Sequence, residues 1–248
     1  MRTCGQTAFS VVIPAHNEEQ YIGKCLAAVC AAAEAVYPCR TEIIVVANRC
    51  TDRTADIARQ YGAAVLQNQD KCISSIRNTG VRAAKGRVVV TVDADTVIPR
   101  GTLKEVRQML STGQYIGGGA NPKFDLMSLG IFCSSVYVAW NLLPLMRKEH
   151  AYLSGAVFWF RKTDFERAGG FDVTLVSLED MDFARRMNRM GRAEGKRWGT
   201  LKVSRPVTSS RKFDRFGDWY LIRNRKLTKQ IFTGRDREAA DSFYYDLR

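Results

Sequence analysis

Glycine (19) and proline (6) are too few and too scattered in the 248 residues for a collagen repeat or a low-complexity chain. The seven cysteines, Cys4, Cys25, Cys30, Cys39, Cys50, Cys72 and Cys133, are odd in number and contain no C-x-x-C, so neither a disulfide framework nor a zinc site is indicated. No apolar segment follows a basic N-terminus, and no stretch reaches the roughly 18 apolar residues a membrane span needs. Helix-turn-helix signatures, zinc-finger spacings and RNP-type aromatic motifs are missing too, which counts against nucleic acid as the partner. A cytoplasmic protein is the simple expectation.

What is present is ordinary globular material, 46% hydrophobic and 25% charged. A chain of this length buries roughly three quarters of its unfolded surface, so its core needs no staple. The charge is uneven. From Arg185 to Arg248 there are 18 basic and 7 acidic residues, net +11, against 20 and 18 before it. Such a segment attracts phosphate-bearing ligands or anionic membrane surface, although charge by itself specifies no chemistry.

Residues 9–13 form a short β-branched run ended by Pro14 and read as a buried strand. A helix follows, with Asn17 at the N-cap position, Glu18 and Glu19 in its first turn, and Tyr21, Ile22, Cys25, Leu26 and Val29 at helical spacing. The unit repeats with a strand at 42–47 and a helix after Thr51 as N-cap. A strand at 64–66, a helix at 73–84 and a strand at 87–92 come next. Strands alternating with helices predict a mostly parallel, Rossmann-like α/β sheet flanked by helices. Beyond Gly101 the pattern is mixed, with strands expected at 115–120 and 155–161 and helices at 104–110 and 127–143. With no linker or repeat in view, one domain is expected, divided into a half at 9–100, a half at 101–205 and a basic segment at 206–248.

Ligands of open α/β sheets lie beyond the carboxyl ends of the strands. That rule gathers residues 14–18, 47–52, the region before Arg77, and Asp93-Ala94-Asp95. Two carboxylates after a four-valine strand repel unless a cation lies beside them, and hard oxygen ligands select Mg²⁺ or Mn²⁺. A second acidic cluster, Glu179-Asp180-Met181-Asp182, opens a helix. There it either complements the helix dipole or, beside a metal-diphosphate site, supplies a general base.

Pro14-Ala-His-Asn17-Glu18, Ala47-Asn-Arg-Cys-Thr51-Asp52, Arg77-Asn78-Thr-Gly80, Asp93-Ala-Asp95, Gly169-Gly170-Phe171-Asp172 and Glu179-Asp180 follow one another in an order and spacing that resembles the family-2 glycosyltransferases. The likeness covers roughly residues 9–192. It implies a GT-A fold, with residues 9–100 as the nucleotide-sugar-binding half and 101–205 as the acceptor and catalytic half. It also implies transfer of a sugar, a hexose by expectation, from a nucleotide diphosphate sugar to an acceptor hydroxyl with inversion.

By that resemblance Pro14, Ala15 and Glu18 meet the nucleoside, Asn48 and Asp52 lie at the second nucleotide loop, and Arg77 approaches base or diphosphate. Asp95 binds a divalent cation, Mn or Mg, Asp93 lies at the ribose or the metal's shell, and Ala94 belongs with them to the nucleotide-sugar site. Asp180 is the base, with Glu179 beside it. A UDP-sugar is the favoured donor. The family commonly has an acidic pair where Ala47-Asn48 stands here, which leaves GDP- and dTDP-sugars open. A late histidine common in relatives is also missing, and His16 and His150 are the chain's only two. Arg205, Arg211 and Lys212 are the candidates to replace it on the diphosphate.

Two other classes are weighed against this one. A nucleotidyltransferase places a carboxylate-bound metal similarly, but the glycine-rich basic loop it uses is absent after the first strand. A non-catalytic nucleotide-sugar or nucleic-acid binder has little use for Asp93, Asp95 and Asp180 together.

Phe213, Phe216, Tyr220, Leu227 and Ile231 fall within an arc of about 60° on a helical wheel, with Arg211, Arg215, Lys226 and Lys229 opposite. This predicts a helix docked on the domain or, as the alternative, one held at anionic lipid on the inner face of the membrane, which would suit a lipid-linked acceptor. The apolar segment 131–146 is expected to be a buried helix, with a groove lining or a membrane contact as the alternative. Gly117-Gly-Gly119, Trp140, Tyr152, Trp159 and Phe160 are expected in the acceptor cleft or its floor, with Trp159 itself favoured as core.

Overall fold

A computed structural model describes residues 8–149, 155–175, 177–211, 213 and 217–224. Its main sheet has seven strands: β1 (Phe9–Ala15), β2 (Thr41–Asn48), β3 (Ala64–Asn68), β4 (Val88–Val92), β6 (Tyr115–Gly119), β8 (Val157–Arg161) and β9 (Arg197–Thr200). They lie in the order β3-β2-β1-β4-β8-β6-β9. β1 pairs in parallel with β2 and β4, and β8 runs antiparallel to both β4 and β6. Short strands β5 (Thr96–Val97), β7 (Lys123–Phe124) and β10 (Val207–Thr208) form a second sheet in the order β5-β10-β7.

The continuous apolar runs are explained by cover on both faces of the sheet. Because side chains alternate along a strand, Val11, Ile13, Val90, Val92 and Trp159 enter one core. There they meet α1 (Ile22–Glu34), α2 (Thr54–Gln60) and α4 (Thr102–Ser111). Val12, Val89, Phe158 and Phe160 face the other way. On that side lie α3 (Ile73–Ala83), α6 (Lys162–Arg167) and α7 (Glu179–Ala193), with Phe165, Phe171 and Phe183 forming an aromatic cluster against Phe158 and Phe160.

Several expectations are corrected. α1 begins at Ile22 and Tyr21 is its N-cap residue. Asn17 instead takes a left-handed backbone (φ 51°), and its Oδ1 accepts the Thr51 amide at 2.9 Å. Thr51 caps nothing, because α2 starts at Thr54, whose amide donates to Asp52 Oδ1 at 3.0 Å. Gly117 to Gly119 belong to the core: a Cβ on Gly118 would lie 2.2 Å from Trp159 Cζ2, so glycine lets the indole lie flat on β6. Trp159 and Phe160 are fully buried there.

The segment 131–146 lies within α5 (Leu129–Glu149), and over 131–140 it is not the buried helix expected, since Ile131 and Ser134 are covered while Phe132, Val136 and Trp140 are exposed; the side chains of 141–146 lie outside the described residues. The last helix among the described residues, α8 (Tyr220–Arg223), packs on α5. Most of the amphipathic C-terminal pattern, including Phe216, Leu227, Ile231, Arg215, Lys226 and Lys229, lies outside the described residues, as do Lys212, His150 and Tyr152.

Candidate active site

The expected loops converge at the carboxyl end of the sheet because β1, β2 and β4 run parallel and are adjacent. Side chains lace the first two loops together. Asp52 accepts the Glu19 amide as well as that of Thr54, and these hydrogen bonds outweigh partial burial to hold its carboxyl below the usual aspartate range. His16 Nδ1 lies 2.6 Å from the Asn48 carbonyl oxygen. Asn48 is buried and gives its amide hydrogens to Asn68 and to the Asp70 carbonyl. Pro14 and Ala15 pair with Val46 and Ala47 at the strand ends, below this loop layer.

The two aspartates after β4 turn to different arginines. Asp93 Oδ1 accepts from Arg77 Nη2 at 3.2 Å, and Arg77 Nη1 donates to Glu179 Oε1 at 2.6 Å. Arg77, from α3, is 4% exposed and also reaches the Gly155 carbonyl at 3.2 Å. Burial disfavours its charge, but the carboxylates of Asp93, Glu179 and Asp180 outweigh this and raise its pKa. One guanidinium therefore joins the end of β4 to the first turn of α7. The two acidic clusters, 86 positions apart when counted from Asp93 to Glu179, occupy one site.

Asp180 stands beside this pair. A Cβ on Gly155 would lie 2.8 Å from its Oδ2, so a glycine is what lets the carboxylate sit against the chain entering β8. Its Oδ1 accepts the Met181 amide at 2.7 Å. Burial raises the pKa of Asp180, Asp93 adds to the rise, and Arg77 opposes it. Burial likewise raises Glu179, with Asp180 contributing.

The entrance to α7 is strained, since Leu178 adopts φ 59°, a left-handed conformation that costs a non-glycine residue about 1–2 kcal/mol. The neighbouring clamp holds it. Asn78 donates to the Phe171 carbonyl at 2.8 Å and accepts the Phe171 amide at 2.9 Å. Arg186 holds the carbonyls of Ala168 and Gly170, and its Nε reaches Asp182 at 2.7 Å. Asn78 and the Gly169-Gly170-Phe171 turn thus position α7, a role visible in the sequence only as two motifs of unassigned purpose.

Asp95 faces the other arginine. Arg211 donates to both oxygens of Glu18 at 2.6 Å, lies 3.0 Å from Asp95 Oδ2, and stacks over the Tyr21 ring at 4.5 Å. Of the late basic residues named from the sequence, Lys212 lies outside the described residues, and of the other two it is Arg211 that lies on Glu18 and Asp95. Burial lowers its basicity, and the bonds to Glu18 together with the charge of Asp95 outweigh that and raise it.

The pair Asp95 and Glu18 therefore already holds a cation, an arginine, between hard oxygen atoms. Among the described residues no three His, Cys, Asp or Glu side chains converge as a metal-binding group. The oxygen atoms of one or two carboxylates are also what Mg²⁺ or Mn²⁺ takes from a protein where substrate phosphates complete its shell.

Known proteins agree with this architecture. Residues 10–130 match the family model for glycosyl transferase family 2. Glycosyltransferase AglE of Haloferax volcanii is 34% identical over 191 residues, 73% of this chain and 62% of that protein. The probable glycosyltransferase YdaM of Bacillus subtilis is 28% identical over 73% of this chain and 47% of its own length. The chain thus spans about half to two thirds of these relatives.

Among solved structures, the mannosyltransferase PcManGT from Pyrobaculum calidifontis, in complex with GDP-Man and Mn²⁺, superposes with a TM-score of 0.66 at 20% identity. The match covers 97% of this chain and 71% of that one. Staphylococcus aureus TarS 1–349 with UDP-GlcNAc gives 0.62 at 18% identity over 96% and 70%. With its collinear motifs, its matching family model and its GT-A fold, this chain belongs to the family-2 glycosyltransferases.

Proposed function

We propose that the chain transfers a sugar, a hexose by preference, from a nucleotide diphosphate sugar to an acceptor hydroxyl with inversion at the anomeric carbon. The observation that carries this reading is the Arg77 bridge, which puts Asp93 and the Glu179-Asp180 pair in one site. Asp180 is the general base. Its raised pKa lets the carboxylate take the acceptor's proton more readily than an ordinary aspartate as the hydroxyl oxygen attacks. Attack from the face opposite the departing diphosphate gives inversion.

Glu179 and Arg77 act through position. They fix the first turn of α7 and keep Asp180 aimed across the Gly155 backbone. A divalent cation held by Asp95, with Asp93 beside it, would stabilise the negative charge that grows on the leaving diphosphate. Pro14, Ala15, Glu18, Asn48 and Asp52 form the nucleoside side, and Ala94, buried between the two aspartates, sets their spacing. The donor base stays open between uridine, guanosine and thymidine, because Asn48 stands where an acidic residue would read the base. UDP-GlcNAc in TarS and GDP-Man in PcManGT show that this fold holds either nucleoside.

A thermal-shift panel of UDP-, GDP- and dTDP-sugars with and without Mn²⁺ tests the reading. A ligand of the native state raises Tm according to its concentration and affinity. Metal-dependent stabilisation by one nucleotide is expected; no response to any of them contradicts the proposal.

A further inference from the structure

The stretch from Leu129 to Met146 contains no charged residue, yet it forms most of α5, which is exposed along one side from Leu129 to Trp140. Leu129 is 74% exposed and Trp140 75%, and Phe132 and Val136 are exposed between them. At 100° per residue these four side chains fall within an arc of about 80° on one face of α5. The opposite side is fixed to the C-terminal segment: Ile131 is buried, Ser128 bonds the Asp218 carboxylate, and Ser134 donates to the Asp218 carbonyl. Leu126 and Met127, both exposed, extend the apolar surface past the start of the helix. A continuous bare stripe of this kind marks a contact surface rather than a water-facing helix.

The chemistry beside the stripe identifies its occupant. Asp218 and Trp219 hold the C-terminal segment against the beginning of α5, where a Cβ on Gly130 would lie 2.4 Å from Asp218 Cβ. From Trp219 to Arg235 the chain carries five basic residues, Arg223, Arg225, Lys226, Lys229 and Arg235, and no acidic one. Trp219, like Trp140, is exposed. Leu, Phe and Val flanked by tryptophan, with a purely basic run following Trp219 in the sequence, match the apolar interior, the headgroup layer and the negative charge of an anionic bilayer surface. Among the described residues no helix is long and apolar enough to cross a membrane. We propose that the Leu129–Trp140 face of α5 is a membrane-docking surface that lies in the headgroup layer of an anionic bilayer, with the basic residues that follow Trp219 in the sequence supplying the electrostatic attraction.

Cosedimentation of the full chain with phosphatidylglycerol-containing vesicles, with pure phosphatidylcholine vesicles as control, tests this. Binding to the anionic vesicles is expected, and the triple variant F132S/V136S/W140S is expected to weaken it at least about tenfold at unchanged charge. Tm and the thermal response to nucleotide, measured alongside, report that the variant is folded. Brominated lipids are expected to quench part of the wild-type tryptophan fluorescence, and that part is expected to be missing in W140F. This readout survives even if the triple variant does not fold.

No binding at low salt would overturn the proposal. So would binding untouched by the triple variant, which would leave charge alone responsible. A concentration-dependent dimer abolished by the same substitutions would assign the stripe to a second copy of the chain and also overturn it. Nucleotide binding reads the sugar-transfer chemistry separately, so the two proposals fail independently.

Discussion

Two arginines each join carboxylates from distant parts of the chain, and their surroundings differ. Arg77 comes from a helix inside the sheet layers, is 4% exposed, and ties Asp93 to Glu179. Arg211 comes from a segment beyond the last strand, keeps 20% of its side chain exposed, and ties Glu18 to Asp95. The first is part of the frame. Removing a buried charge's partner leaves an uncompensated ion in low dielectric, which costs more than the pair itself contributes. The second guanidinium is the more open of the two, but its carboxylates are not: Glu18 keeps 2% and Asp95 13% of its side chain exposed, against 37% for Asp93 and 11% for Glu179. Asp93 and Asp95, two residues apart, thus turn to different arginines, and in the proposed function one anchors the helix that carries the base while the other faces the cation and phosphates.

The sharpest way to break this contrast is Arg77→Met, which strands Asp93 and Glu179. Calorimetry is expected to show a loss of about 3–5 kcal/mol, or roughly 10 °C in Tm for a domain of this size. A loss no greater than that of Arg211→Gln would erase the distinction.

Asp95→Ala comes next. It is expected to leave the fold intact, abolish the Mn²⁺-dependent part of the nucleotide thermal shift, and lower turnover about 10²-fold or more, as loss of one transition-state electrostatic contact does. Retained Mn²⁺ dependence would reassign the metal ligand.

Arg211→Gln is the milder change because the glutamine amide still donates to the buried Glu18 carboxylate, and it is expected to cost about 1.5–3 kcal/mol of stability, typical for loss of hydrogen bonds to a charged group. Chemical denaturation checks it.

The smallest effect concerns pH. Burial raises the folded-state pKa of Asp180, so its contribution to stability is fully present in acid, below the unfolded value, and is lost as pH rises through the raised value. Asp180→Asn removes that dependence. The variant is therefore expected to melt higher than wild type at neutral pH, with the gap closing as pH falls toward the unfolded aspartate value.

Much of this was legible in the chain. Short β-branched runs ended by polar loops located β1, β2 and β4, and the parallel-sheet rule then placed residues 14–18, 47–52 and 93–95 together, because periodicity and topology are local properties. Helix starts were misplaced where polar side chains tie one loop to another. Asn17 and Thr51 bond each other across 34 positions, and such partners leave no local pattern. Arg211 was one of three equal candidates for the same reason, since its partner Glu18 lies 193 positions away. The apolar run of α5 was expected inside because hydrophobicity reports a preference for leaving water without naming what covers the surface. The positioning role of Asn78 depends on a backbone turn at Gly170 and Phe171 that only the folded chain reveals.

The central claim is that the acidic residues after β4 and those opening α7 serve one reaction. Turnover of Asp180→Asn, followed as release of nucleoside diphosphate from the donor that the thermal-shift panel selects, tests it most directly. Turnover about 10²-fold or more below wild type, with the nucleotide-induced Tm shift retained, is expected of a lost general base. Near-normal turnover by a variant that still binds the donor would contradict it.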